Sequence, residues 1–341
     1  MKKALIVSPY LDHLGGGERY MLSVASVLEN LGHEIYFAWD NLTEITTLAG
    51  MFGLTLNNPK LAPSIKSLYI THHPLSMYLA TRPYDVVVYL SDGSIPLLGG
   101  KRNILHLQVP FHGVRGRSWK NALKKQFIHS IIVNSRFTKT IVDAEYGINS
   151  TVIYPPVSSI HPSTKSKTIL SVGRFEPSLN TKHQDILMQA FRELSPQLPD
   201  WKLVLAGASS NEDWVTHLRT LATGLPIDIL TNVSYAEICQ LYAESWIYWH
   251  AAGYGVDEIK NPELTEHFGI STVEAISAGC IPLVVPSGGQ KEIVTNPSLH
   301  WTTPSELIVK TLDIISAPPP STLDISLYSI EKFSDQLKKI I

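Results

Sequence analysis

Cysteine is nearly absent from this 341-residue sequence: there are two, Cys239 and Cys280. Two cysteines make neither a disulfide framework nor a metal cluster, and we expect a cytoplasmic protein. Long apolar runs are missing as well. No window of about 18–20 residues is free of charged and strongly polar groups, which excludes a spanning helix. The start, MKKALIVSPY, holds an apolar run too short for a signal peptide, with Pro9 and Asp12 close behind. It reads as a first buried strand. Tandem repeats and long low-complexity tracts are also lacking. One stretch lacks acid: no Asp or Glu occurs between Asp92 and Asp143. That stretch carries Lys101, Arg102, Arg115, Arg117, Lys120, Lys124, Lys125, Arg136 and Lys139. A one-signed run of this kind implies an anionic partner.

What is present suits a globular protein. Hydrophobic residues make up 44% and charged residues 17%, and mean hydropathy is +0.05. That is enough apolar material for two cores and too much for a disordered chain. At roughly 100–200 residues per domain, the length suggests two domains. Short β-rich runs alternate with helical patterns. Strands are expected at Ala4–Ser8, Glu34–Ala38, Asp85–Tyr89, Asn103–Gln108, Ile131–Asn134 and Thr151–Tyr154. A second series comprises Thr168–Val172, Lys202–Ala206, Ile227–Leu230, Trp246–His250 and Ile281–Val285. The runs are continuous, not alternating, as in parallel strands buried on both faces. Helices are expected between them, for example at Gly17–Leu31, Lys182–Leu194 and Ser234–Ala243. This grammar predicts doubly wound α/β sheets. A boundary falls near Pro155-Pro156, where a short Pro/Ser/Thr/Lys linker follows. APPPSTL at 317–323 reads as a turn or linker, and the tail after it has helical spacing.

Three segments carry possible chemistry. In LDHLGGGERY, Gly15, Gly16 and Gly17 let the backbone approach a ligand, and the helix start offers N–H groups to an anion. A flexible turn is the plain alternative. A dinucleotide fingerprint with Asp40 fits poorly, because the glycines are consecutive. In GRFEPSLNTK, Arg174 and Lys182 flank a polar loop after Gly173, a plausible diphosphate clamp. Two solvated cations are the alternative. In NPELTEHFGISTVEAISAGCIPLVVPSGGQKEIV, Glu266 and Glu274 are separated by seven residues. Glu274 is the sole charged residue from Ile270 to Gln290. A carboxylate in so apolar a stretch needs partners. Ligand hydroxyls would serve, as would a structural Arg. Gly269 and the N–H groups of Ile270, Ser271 and Thr272 form a further helix start suited to phosphate.

EHFGISTVEAISAGCIPLVVPSGGQKEIV closely resembles the donor site of the retaining glycosyltransferases of family 4, which have the GT-B fold. GGGER, VNSRFT (133–138), VIYPPV (152–157) and GRFEPSLNTK (173–182) match in the same order, so the resemblance covers nearly the whole chain. The EHFG and YPPV forms look most like mannosyltransferases of the asparagine-linked and bacterial polysaccharide pathways. The resemblance implies two Rossmann-like domains facing across a cleft. An acceptor domain would span 1–157, a nucleotide-sugar domain 158–322, and a C-terminal helix within 323–341 would cross back to the first domain. It implies that Glu274 holds the donor ribose. Glu266, with backbone N–H groups from His267 and Phe268 through Thr272, would address the donor sugar and phosphates. Arg174 and Lys182, beside Gly173, would neutralise the leaving diphosphate. Gly16 and Gly17 would line the acceptor side.

The implied activity is transfer of mannose or another hexose from a GDP- or UDP-sugar to a hydroxyl of a glycan or lipid-linked acceptor. Configuration is retained and neither metal nor cofactor is expected. The chain departs from the family in three places. His183 stands where relatives often have Gly. The loop at 251–265 is long, a lid or a surface insertion. Gln108 stands where a His often precedes Pro, with His106 and His112 nearby. The segment GRSWKNALKKQFIHS predicts a helix with Lys120, Lys124 and Lys125 beside Trp119, Leu123 and Phe127. Such a helix can lie on an anionic membrane, or be a core helix with a basic outer face. A nucleic-acid surface is weaker, since no readout element accompanies it. Rival functions are an inactive nucleotide-sugar-binding subunit and an NAD-dependent oxidoreductase.

Overall fold

In the computed structural model, residues 2–9, 11, 15–71, 73–177, 182–318 and 324–341 are described. The chain forms two compact units, Met1–Pro156 with Ile330–Ile341, and Val157–Ser329.

The first unit is built on seven strands: β1 (Lys2–Val7), β2 (His33–Phe37), β3 (Lys60–Leu61), β4 (Val86–Leu90), β5 (Arg102–Leu107), β6 (Ser130–Val133) and β7 (Thr151–Val152). Their order is β3-β2-β1-β4-β5-β6-β7, and neighbours run parallel. Ala4 pairs Ile35 on one side and Val86 on the other. The continuous Val/Ile/Leu composition follows from burial of both sheet faces. On one face, Tyr20, Val24 and Leu28 of the helix Gly16–Asn30 join Ala4, Ile6, Val86 and Val88. Phe333 and Leu337 of the helix Ile330–Lys338 enter this same core. On the other face, Ile65, Met77, Val142 and Tyr146 cover Leu5, Val87 and Leu105.

The second unit has five parallel strands: β8 (Ser166–Val172), β9 (Lys202–Gly207), β10 (Ile227–Thr231), β11 (Ser245–His250) and β12 (Ile281–Val284). Their order is β10-β9-β8-β11-β12, again parallel throughout. Tyr242, Ala275 and Ala278 cover Leu170, Val204 and Tyr248 on one face. Chain order reverses between β1 and β4 in the first sheet and between β8 and β11 in the second. Ligands of open α/β sheets bind outside the carboxyl ends of strands at such a switch point. Val172-Gly173 and His250 stand at that point in the second unit.

The strands and helices lie within a few residues of their expected positions. β3 was not expected: two residues carry no periodicity of their own. The polar loop at 178–181 and the proline tract at 319–323 lie outside the described residues.

Candidate functional site

In the second unit the site begins at Gly173, just past β8. A Cβ there would collide with the Lys182 stem, and a Cβ at Gly207 would collide with the Gly173 carbonyl. Glycine at both places lets the ends of β8 and β9 close up while Lys182 crosses over them. Arg174 is exposed; its carbonyl accepts from Gln184 Nε2 at 2.9 Å. Gln184 is buried and opens the helix Gln184–Leu194, so it fixes the loop's exit.

Lys182 Nζ reaches Glu266 Oε2 at 2.5 Å, with side chains only 17% and 14% exposed. His250 Nε2 donates to the same oxygen at 3.0 Å. Burial alone would raise the Glu266 carboxyl. The charge of Lys182 and the bond from His250 outweigh it and hold the group far below the usual carboxylate range. Burial pushes the His250 imidazole below its ordinary value despite Glu266, leaving a neutral ring. The expected pair of solvated or phosphate-facing cations is therefore divided: Lys182 is committed to Glu266, and Arg174 points outward.

The turn from Glu266 to Gly269 is set by the glycines that follow it. Gly289 N–H donates to the Glu266 carbonyl at 2.7 Å. A Cβ at Gly289 would meet His267 O and Phe268 Cα, both at 2.6 Å. Gly288 has φ +61° and lies against the Glu266 carbonyl. Phe268 is buried edge-on against Tyr328, centroids 5.2 Å apart. His267 donates from Nε2 to the Glu263 carbonyl at 3.0 Å, so its ring is used within its own loop. Gly269, at φ +118°, is the N-cap of the helix Ile270–Ser277 and gives it no side-chain cap. The N–H groups of Ile270 and Ser271 are thus available to an anion, whereas that of Thr272 donates to the Gly269 carbonyl at 3.1 Å. Ile270 and Ser271 are partly exposed at this start, whereas Thr272 is buried.

Glu274 lies one turn further in and is 4% exposed. Its Oε1 accepts from the Tyr235 hydroxyl at 3.0 Å. A tyrosine hydroxyl is thus one partner of the carboxylate for which the sequence suggests ligand hydroxyls, with a structural Arg as the alternative. The segment 251–265 is pinned to the same glycine loop. Glu258 takes Lys291 Nζ at 2.5 Å and the Gly288 N–H at 3.0 Å.

In the first unit, Gly15 is the N-cap of the helix Gly16–Asn30, with no side-chain cap. Gly16 is exposed and Gly17 buried. The close approach that Gly17 permits is to Gln108, whose carboxamide fills the place of a Cβ. Asn134 Nδ2 donates to the Gln108 carbonyl at 3.1 Å. His106 is a core residue, stacked on Tyr20 at 4.0 Å, and burial pushes its imidazole down to about 3. His112 is exposed.

The acid-free stretch is less open than its charge suggests. Lys101 pairs Asp85 at 2.7 Å, and Lys139 pairs Asp143 at 2.5 Å. Arg102, Arg117 and Lys125 donate to the carbonyls of Ile340, Ala144 and Tyr146. Unpaired carbonyls at helix and chain ends need donors, and long cations supply them. The helix Trp119–Lys125 buries no residue, so it is not a core helix. Trp119 is 70% and Leu123 53% exposed, with Lys120 and Lys124 beside them. No helix among the described residues is long and apolar enough to cross a membrane.

His250, Gln290 and Tyr235 escaped the sequence reading. A histidine closing a β-rich run was the available signal for His250. Nothing in the spacing pointed from Tyr235 to Glu274.

Residues 158–313 match the family model "Glycosyl transferases group 1". The chain is 27% identical, over 60% of its length, to "GDP-Man:Man(3)GlcNAc(2)-PP-Dol alpha-1,2-mannosyltransferase" of Xenopus laevis, and spans 46% of that protein. It is 24% identical to an "Uncharacterized glycosyltransferase" of Haemophilus influenzae over the full length of both. Among solved structures it is similar to a glycosyltransferase from Rickettsia africae ESF-5. That match has a TM-score of 0.66 and 17% identity, and covers 99% of this chain and 93% of the other. At that identity the likeness shows the fold alone, which is the GT-B architecture.

Proposed function

We propose, from the match of residues 158–313 to the glycosyl transferases group 1, that the protein moves a hexose, retaining its configuration, from a nucleoside-diphosphate sugar to an acceptor hydroxyl. One observation carries this reading. The uncapped helix start at Gly269 has the Lys182–Glu266–His250 cluster just before it and the buried Glu274 within it. Such a start is an anion site, and a buried carboxylate suits the diol of a ribose. We assign Glu274 to the ribose, Glu266 to the transferred sugar, and the N–H groups from Gly269 to Ser271 to the diphosphate. Arg174, with Lys182 behind it, answers the charge that grows on the leaving group, the part that a metal would otherwise take.

In the reaction the bond from the sugar's anomeric carbon to the diphosphate oxygen breaks. A bond to the acceptor oxygen forms on the same face, and the acceptor's proton passes to the departing phosphate oxygen. The donor is GDP-mannose by likeness to the mannosyltransferases, with UDP-hexoses as the second class. The acceptor is a glycan or lipid-linked sugar, taken by the first unit near Gly16, Gly17 and Gln108. Trp119 and Leu123, each next to a lysine (Lys120 and Lys124), would rest on an anionic membrane, which keeps the protein peripheral at its cytoplasmic face.

The test is nucleoside-diphosphate release from GDP-mannose and a panel of UDP-hexoses, with and without a chelator. Turnover of one donor, indifferent to chelation, is expected. Nucleotide binding without turnover of any donor, in the presence of glycan and lipid-linked acceptors, would favour the inactive-subunit reading instead.

A further inference from the structure

We propose that His250 is a positioning residue: it and Lys182 tie down Oε2 of Glu266 so that Oε1 is presented to a hydroxyl of the transferred sugar. The inference rests on the transferase reading for the identity of that hydroxyl, but not for the geometry.

Both donors that reach Glu266 approach one oxygen. Lys182 Nζ stands 2.5 Å and His250 Nε2 3.0 Å from Oε2. Among the described residues, no hydrogen bond reaches Oε1. The two donors come from different elements, Lys182 from the loop after β8 and His250 from the end of β11. Lysine is a point charge on a flexible stem and fixes a distance, not an orientation. The imidazole is planar, sits on a strand and is 2% exposed. It therefore fixes the direction in which the carboxylate faces.

The ring's protonation is constrained by the same contacts. A neutral imidazole has one N–H, and the carboxylate requires it on Nε2. Nδ1 is then a buried acceptor, and it has no partner among the described residues. Gln290 Nε2 lies 3.4 Å from His250 Nε2; with the ring proton on Nε2 these two nitrogens are in contact without a hydrogen bond. A neutral donor adds no charge to the cluster, so Lys182 and Glu266 stay balanced. Orientation of a carboxylate by a buried imidazole leaves its free oxygen directed and charged, which is what binding a sugar hydroxyl needs.

The test compares His250→Leu, which removes the donor, with His250→Gln, whose carboxamide N–H can reach the same oxygen. Nucleoside-diphosphate release from GDP-mannose and UDP-glucose is measured, with thermal melting as the fold control. His250→Leu is expected to lower kcat about 10- to 100-fold while donor KM moves less than about threefold, and His250→Gln to recover most of the loss. Unchanged kcat in His250→Leu, or equal loss in both variants, would overturn the proposal.

A second measurement does not need turnover. Long-range proton–nitrogen spectra of histidine-labelled protein near neutral pH should show the Nε2-protonated tautomer at His250, assigned by its absence from His250→Gln. An Nδ1-protonated ring or an imidazolium there would also overturn it. Wild-type silence with every donor would sink the transferase reading, while the tautomer would still decide this one.

Discussion

Burial raises the free energy of every ionised side chain, and Glu266 offsets that cost with Lys182 and His250. A carboxylate whose folded pKa is depressed stabilises the fold above its unfolded pKa of about 4.5, and that stability is lost as pH falls below it. His106, on β5 of the first unit, acts in a higher window. His106 is raised to its charged form only near pH 3 in the fold, but near 6.5 when unfolded. Below about 6.5 the unfolded chain takes up a proton that the folded chain refuses. Stability should therefore fall by about 1.4 kcal/mol per pH unit from this group alone as pH drops from 6.5. Melting of wild type and His106→Phe between pH 7 and 5 tests this: the variant's slope should be shallower, and identical slopes would contradict the assignment. Arg174→Ala should reduce turnover more than donor binding, because charge grows on the diphosphate as it leaves. Single-turnover rates beside equilibrium binding would show it, and equal losses would argue against it. At this scale the sequence marked Glu266, Glu274 and Lys182 by type and spacing. It could not show that Lys182 is held by Glu266, because that contact spans 84 residues of chain.

A turn and the loop beneath it make one element of the site. The pair Gly288-Gly289 supports the turn Glu266–Gly269 by a direct backbone bond and by the absence of two Cβ atoms. Gly289→Ala puts a methyl group against the His267 carbonyl and the Phe268 Cα. We expect a loss of about 1–3 kcal/mol in stability, the usual size for overpacking, together with weaker donor binding. Thermal melting and nucleotide titration check both, and a variant normal in each would show that the turn has room to move. Elements were legible where their composition is uniform: the buried strands announce themselves as Val/Ile/Leu runs. The two-residue β3 did not, and the basic helix Trp119–Lys125 proved shorter than its segment. The charge pattern suggests a free basic surface there, yet Lys125 of the helix and Arg117 just before it answer chain carbonyls that no local pattern reveals.

Over the whole molecule, alternation of β and α predicts two doubly wound sheets, and both sheets are parallel and reverse direction at one point. Strand order within them was not readable, since parallel pairing is set by long connections. The unit Val157–Ser329 is a single continuous stretch with its own sheet and core. Expressed alone, it should melt cooperatively and bind the nucleotide of the donor. A non-cooperative or aggregated product would show that the chain folds as one body.

The central claim is that this unit holds a nucleoside diphosphate with Glu274 on its ribose. Calorimetric titration of GDP and of UDP into the full chain, wild type beside Glu274→Ala, tests it most directly. One nucleotide should bind, and the variant should bind it about 1–3 kcal/mol more weakly, as expected on losing hydrogen bonds to a charged group. Equal affinity in a folded Glu274→Ala variant, or no binding of either nucleotide by the wild type, would contradict the account.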